Sequence, residues 1–178
     1  MKKWVVILAS VLVVCIIGIV LFVGFLFPIK FRYEIKKYAN EYGLSANMIA
    51  SIINIESGFD VNAKSSAGAI GLMQILPSTA RECANKMGIE FQDNDLYDGD
   101  TNIRIGCFYL QYLMTLFDGN ITNVLCAYNW GLGNVNNWIE QGNVDVQGTI
   151  TNIPVEETRN YIKKFHTGYF VYEKLYGY

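Results

Sequence analysis

The first pattern along the chain is an unbroken apolar run. Trp4 to Phe27 is 24 residues without a charge, interrupted by small residues such as Ser10, Gly18 and Gly24. At 1.5 Å per residue this makes about 36 Å of helix, enough to span a bilayer with some tilt. A cleavable signal peptide has a shorter apolar core and a small-residue cleavage site, and Phe25-Leu26-Phe27-Pro28 offers none. Cys15 does not read as a lipoprotein site, because bulky Val14 precedes it and the apolar run continues well beyond. Residues 1–30 are therefore predicted as a signal anchor, a single transmembrane helix, with 31–178 as one domain.

Beyond the anchor the periodicity becomes helical. Tyr33 to Tyr42 reads as a short helix stopped by Gly43. From Ser45, a good N-cap, the residues Ile49, Ile52, Ile53 and Glu56 fall at i, i+3, i+4 and i+7, and Gly58 supplies the stop. Phe59 to Leu76 is rich in Gly and Ser without a sustained period, which leaves a loop or a small hairpin. Leu76-Pro77-Ser78 opens a helix running to Met87, closed by Gly88. Asp100 is predicted to cap the next helix. Its stripe of Ile103, Gly106, Cys107, Leu110, Leu113, Met114 and Phe117 reads as core, so Tyr109 and Tyr112 need no functional role. Ile121 to Tyr128 and Asn134 to Gln141 are short helices around a Gly131/Gly133 turn. Pro154 begins a final helix carrying Tyr161, Ile162 and Phe165 and extending toward Tyr169. The fold class is mainly α, with little strand.

Charge narrows the partners. The whole chain has a net charge of −2, but residues 31–178 carry 11 basic and 16 acidic side chains. An acidic domain argues against nucleic acid as the main partner. It also gives no strong attraction to an anionic wall, so a carbohydrate groove would depend on stacking and hydrogen bonds. The 12 Tyr, 10 Phe and 3 Trp can supply those. Cys83, Cys107 and Cys126 form an odd set whose spacing fits no zinc pattern, and the single histidine, His166, is far away in sequence. Cys107 and Cys126 read as small core residues; a disulfide from Cys83 stays open.

Glu56 carries the most pointed chemistry. It is a carboxylate on an apolar stripe, in the last turn of its helix, near the negative end of the helix dipole. Burial and dipole both disfavour the ionised form and raise its pKa. A carboxyl kept protonated near neutral pH is what a general acid requires. On helix geometry alone, a buried pair with an arginine such as Arg81, Arg104 or Arg159 is the favoured reading, because structural ion pairs are commoner than active sites.

The residues around it decide between these readings. Glu56-Ser57, Ala63, Ser65, Gly68-Ala69, Gly71-Leu72-Met73-Gln74, Pro77 and Thr79-Ala80 resemble the signature of the soluble lytic transglycosylase family. Three further blocks stand in that family's order: Gly106 to Leu113, Ala127 to Val135, and Pro154 to Tyr161. The resemblance runs from Ile35 to Phe165. It departs at Trp130 and Leu132, where the family usually shows Ala and Pro, in a loop expected to border the glycan groove.

The resemblance implies a lysozyme-like fold and cleavage of peptidoglycan glycan strands between N-acetylmuramic acid and N-acetylglucosamine. Glycosidases ordinarily use two carboxylates, yet Val61 through Ala80 contains no acidic residue and Asp60 lies beyond the Gly58 break. In the path that the resemblance implies, the muramic acid acetamido group replaces the second carboxylate. Glu56 acts first as acid and then as base, closing a 1,6-anhydro ring with no metal and no cofactor. Ser65 would contact the N-acetyl group, Met73 and Gln74 would line the groove, and Tyr128 and Asn129 would orient sugar hydroxyls. Glu157 would sit in the groove, with the Tyr161 hydroxyl against the acid. Read without the resemblance, Ser65 is a turn serine, Met73 is core, Tyr128 is a buried ring, and Glu157 pairs with Lys163 or Lys164.

Two rivals remain open: a goose-type muramidase, which hydrolyses the bond, and a non-catalytic membrane-anchored wall-binding protein. Lys2 and Lys3 favour the N-terminus inside, whereas Lys30, Arg32, Lys36 and Lys37 argue the reverse. An extracytoplasmic domain on a single-pass anchor follows from the presumed substrate. Wall turnover, sporulation, or opening a gap for conjugation or secretion machinery all use such a domain.

Overall fold

The computed structural model describes residues 2–177; Met1 and Tyr178, the outer ends of the two predicted segments, lie outside the described residues. The helices are α1 (Lys2–Leu26), α2 (Arg32–Tyr42), α3 (Ala46–Ser57), α4 (Pro77–Met87), α5 (Gly99–Leu116), α6 (Ile121–Trp130), α7 (Leu132–Glu140) and α8 (Glu156–Tyr176). A 3₁₀ turn, Asp93–Tyr97, precedes α5. Among the described residues there is no named strand. Isolated antiparallel bridges join Lys64 to Ile70 and Ile70 to Ile75, so the Gly- and Ser-rich stretch folds as a small hairpin-like loop.

Helix α1 is long and apolar enough to cross a membrane: its most apolar 18-residue stretch within Lys3–Leu26 has a mean hydropathy of 3.4, and no residue of that stretch is buried against the rest of the chain. It joins the domain through a packed collar. The Tyr172 and Tyr176 hydroxyls donate to the Pro28 and Phe27 carbonyls, each at 2.7 Å. The Phe27 ring meets Tyr172 edge-on, and Asn54 Nδ2 donates to the Leu26 carbonyl at 3.3 Å. These contacts explain why α8 runs on to Tyr176, past the predicted reach of Tyr169. Its aromatic stripe continues at helical spacing through Phe165, Tyr169, Tyr172 and Tyr176, and the collar covers its end.

Three local expectations need correcting. Asp98, with an extended backbone, caps α5 by accepting from the Thr101 amide at 2.8 Å. Asp100 is already inside the helix and accepts from the Tyr38 hydroxyl at 2.7 Å. Ser45 occupies the N-cap position of α3 but makes no side-chain cap bond; its hydroxyl donates to Tyr169 at 3.4 Å instead. Gly133 lies within α7, and the turn between α6 and α7 is Gly131 alone.

The core centres on α5, whose Ile103, Cys107, Leu110 and Leu113 are fully buried; α2, α4 and α6 pack around it. Helices α3 and α8 form the other main contact. A Cβ on Gly168 would lie 2.4 Å from Ser51 Oγ, so only glycine permits this approach. Ser51 Oγ donates to the Phe165 carbonyl at 3.0 Å and completes the crossing.

The loop before α4 is tied to α5 by Asn102, which is fully buried. Its Oδ1 accepts from the Met73 amide at 2.9 Å, while Nδ2 donates to the Ile70 and Leu96 carbonyls at 2.9 and 2.8 Å. Gly71, at φ 79, passes directly over this amide, where a Cβ would lie 2.2 Å from Nδ2. Asn102→Leu would take their side-chain partner from the Met73 amide and the Leu96 carbonyl, at about 1–3 kcal/mol each; the Ile70 carbonyl would still accept from the Ile75 amide at 3.1 Å. The expected outcome is destabilisation by roughly 2 kcal/mol or more, read as a lowered midpoint in denaturant titration.

Candidate active site

The α3 stripe places Glu56 at the edge of the core. Ile49, Ile52 and Ile53 are fully buried, whereas Glu56 in the last turn remains partly exposed and turns its carboxyl into a cleft. Ser57 fixes that helix end, its hydroxyl donating to the Leu72 carbonyl at 2.8 Å. From α8, the Tyr161 hydroxyl donates to Glu56 Oε1 at 2.8 Å. Burial pushes the Glu56 carboxyl up to about 7; the Tyr161 hydrogen bond opposes this, and the nearby Glu157 carboxylate adds to it. No arginine neutralises it. Arg81 pairs with Asp93, Arg104 bonds Tyr42, and Arg159 donates to the Ile153 and Pro154 carbonyls. The ion-pair reading of Glu56 is therefore not realised in the fold.

The cleft has a volume of about 520 Å³ and brings together Glu56, Ser65, Gln74, Tyr128, Asn129 and Glu157. Ser65 Oγ accepts from the Ala69 amide at 3.0 Å, which holds the loop tip at the rim. Gln74, at φ 48, anchors the same loop by donating from Nε2 to the Ala63 and Gly71 carbonyls at 3.1 and 2.9 Å. The Asn129 amide oxygen accepts from Thr158 at 2.8 Å, tying α6 to α8. Tyr128 presents its ring to the cleft, and its hydroxyl is committed to the Met73 carbonyl at 2.8 Å. Burial pushes its phenol well above the ordinary range, so it stays a neutral donor.

One expectation from the resemblance changes here. The Met73 side chain does not line the groove; it is fully buried and packs directly beneath Gly106, where a Cβ would lie 2.4 Å from its sulfur. Its part in the cleft is the backbone carbonyl that Tyr128 grips. Glu157 lies in the cleft with Glu56, delivered from α8 although no acidic residue follows Glu56 closely in sequence.

The cleft also contains Tyr109 and Trp130. The Tyr109 ring lies 5.7 Å from that of Tyr128, tilted by 41°. Tyr109 stands three residues after Gly106 on the edge of the α5 stripe, where helical periodicity alone does not separate core from cleft wall. Trp130, one of the two departures from the family pattern, is the last residue of α6 rather than part of a loop, and it stands on the cleft wall. Leu132 instead borders an adjoining hollow with Lys86 and Tyr112. Among the described residues, no group of three or more His, Cys, Asp or Glu side chains is arranged to hold a metal ion. All four cysteines are free thiols, with Cys83, Cys107 and Cys126 buried.

Comparison with known proteins agrees with this geometry. The Transglycosylase SLT domain family matches residues 34–146. The soluble lytic murein transglycosylase of Escherichia coli K12 is 35% identical over 141 residues, 77% of this chain and 22% of that protein. Membrane-bound lytic murein transglycosylase C of Actinobacillus pleuropneumoniae is 32% identical over 153 residues, 73% of this chain and 42% of that one. An inactive Glu-to-Gln mutant of the lytic transglycosylase Slt from Pseudomonas aeruginosa superposes with a TM-score of 0.74 at 32% identity, covering 83% of this chain and 24% of that structure. The chain thus spans well under half the length of these relatives. With a lysozyme-like helical fold and a family match over most of its length, the chain belongs to the transglycosylase SLT domain family.

Proposed function

We propose that this protein is a peptidoglycan lytic transglycosylase, anchored by α1 and facing outward, that cuts glycan strands between N-acetylmuramic acid and N-acetylglucosamine. One observation carries the proposal: the Glu56 carboxyl sits in the cleft, held near neutrality without a cationic partner and oriented by Tyr161. A pKa of about 7 gives a substantial acid fraction at physiological pH, yet leaves the conjugate base strong enough to accept a proton afterwards. Glu56 protonates the departing glycosidic oxygen while the muramic acid acetamido group attacks its own anomeric carbon. The resulting carboxylate then accepts the proton of that sugar's 6-hydroxyl, which displaces the acetamido oxygen and closes the 1,6-anhydro ring. Ser65, at the rim, fits a contact to the N-acetyl group. Gln74 and Asn129 hold the cleft's shape, and Tyr128 and Tyr109 offer ring faces to the sugars. The membrane-bound and soluble murein transglycosylases among the relatives support the substrate class and the anchoring.

Glu157 gives one alternative its footing. A second carboxylate on the cleft wall is what a hydrolase needs to activate water, so a goose-type muramidase remains the competing reading. Mass spectrometry of peptidoglycan digests separates them. The expected products carry 1,6-anhydromuramic ends; reducing muramic ends without anhydro species would establish the hydrolase. Sacculi bound without release of soluble muropeptides would establish a wall-binding protein.

Glu56→Gln keeps the shape of the side chain and removes its proton, so activity is expected to fall by ~10²–10⁴-fold. Its effect on stability follows from linkage. The folded-state pKa is raised, so as pH climbs from about 4.5 to about 7 the unfolded chain releases this proton first and the native state loses stability. Glu56→Gln is expected to remove that loss, on the order of 1–3 kcal/mol, in melts compared at pH 4.5 and pH 7.5. Tyr161→Phe deletes the hydrogen bond that lowers the Glu56 pKa. Its kcat/KM is expected to be reduced, with the alkaline limb of the pH profile displaced upward.

A further inference from the structure

The cleft does not end at Glu56. A second hollow of about 290 Å³ shares Glu56, Asn129 and Glu157 with it and continues past Tyr161 to Ile55 and Lys164. A third hollow of about 480 Å³ shares Ile55 and Lys164 with the second. Asn54, Lys163 and Thr167 border it on the domain side, and Leu26 and Phe27 on the other. Leu26 is the last residue of α1. The three hollows thus adjoin in a row from the acid to Leu26, where the apolar helix ends, and together make a trough along the surface.

Helix α8 forms one wall of this trough. Glu157, Tyr161, Lys164 and Thr167 succeed one another at i, i+4, i+7 and i+10, a single helical stripe. The rise from Tyr161 to Thr167 is about 9 Å, the scale of a short saccharide. Charge changes along the way: carboxylates stand at the cleft end, and the exposed Lys163 and Lys164 stand at the helix end. The collar of Phe27 and Pro28 bonded to Tyr172 and Tyr176 holds that end in place beside α1; with α1 as the anchor, the trough opens next to the bilayer.

We propose that the strand accepted by this trough still carries its reducing end on a membrane-embedded lipid diphosphate, with Lys163 and Lys164 engaging the diphosphate. This rests on the transglycosylase and anchoring reading above and specifies its substrate. The polarity is consistent. The sugar that closes its ring lies on the non-reducing side of the cut, so the released strand leaves with the anhydro end. The lipid keeps a short saccharide whose terminal N-acetylglucosamine regains a 4-hydroxyl, protonated by Glu56. The proton of the 6-hydroxyl returns to Glu56, and no phosphate bond is broken. Two lysines beside a bilayer surface match a diphosphate in charge, and cutting close to the lipid requires the acid to stand near the headgroups, where the trough places it.

The test uses the full chain in phosphatidylcholine proteoliposomes with labelled glycan strands of one length, tethered either through a lipid diphosphate or through a neutral lipid. Strands free in solution serve as reference. Wild-type protein is expected to cut the diphosphate-tethered strands about tenfold faster or more, the worth of a charge-assisted contact, leaving a short saccharide on the lipid. The variant carrying Lys163→Gln and Lys164→Gln should bring that ratio close to one. Equal rates on both tethers with wild-type protein, or a preference untouched by the double variant, would overturn the proposal. So would a preference abolished by adding phosphatidylglycerol, which would assign the lysines to phospholipid headgroups. Cleavage of free strands with no tether preference would defeat this proposal alone; cleavage of no strand in any form would defeat the transglycosylase reading with it.

Discussion

The close crossing of α3 and α8 is the constraint on which the site depends. Gly168 lets Ser51 approach, Ser51 bonds the Phe165 backbone, and the next residues in each direction along the crossing become functional. Toward one end, Tyr161 meets Glu56; toward the other, Tyr172 and Tyr176 clasp the segment leaving α1. A Cβ at Gly168 would meet Ser51 Oγ at 2.4 Å, so either Ser51 would turn away and give up its bond to the Phe165 carbonyl or the helices would part. The placement of Glu56 and that of the end of α1 thus share one packing event.

Electrostatics completes what packing begins. A carboxyl among isoleucines would ordinarily recruit a cation, and the sequence holds four arginines. Each is engaged elsewhere: Arg32 over the Tyr176 ring, Arg81 with Asp93, Arg104 with Tyr42, and Arg159 with backbone carbonyls before α8. What reaches Glu56 instead is a neutral phenol and a second carboxylate. The phenol orients the group without fully stabilising its charge, and the carboxylate disfavours that charge further. The outcome is an acid poised near neutral pH rather than a structural ion pair.

Much of this was legible in the sequence, for identifiable reasons. Helix ends at Gly43, Gly58 and Gly88 were readable because left-handed caps favour glycine, and the isoleucine stripe fixed which way Glu56 faces. The spacing of Glu157 and Tyr161 put both on one face of α8. Sequence alone failed where the deciding neighbour is remote. Met73 reads as core from its own pattern and as a groove residue only through the resemblance; the choice is made by Gly106, in another helix, which leaves the space that takes its side chain. Tyr109 reads as core until Tyr128 stacks beside it. The partnership of Asn102 with three loop groups spans up to 32 residues and leaves no local signal. The trough toward α1 likewise exists only once the collar has folded back onto α8.

The central claim is that Glu56 is held protonated near neutrality by its surroundings, and one measurement addresses it without reference to any substrate. Selective ¹³C labelling of glutamate side chains, with Glu56→Gln used to assign the resonance, would follow its carboxyl carbon through a pH titration. The account predicts a midpoint near 7, moving upward in Tyr161→Phe. A midpoint in the ordinary carboxylate range around 4.5 would contradict it.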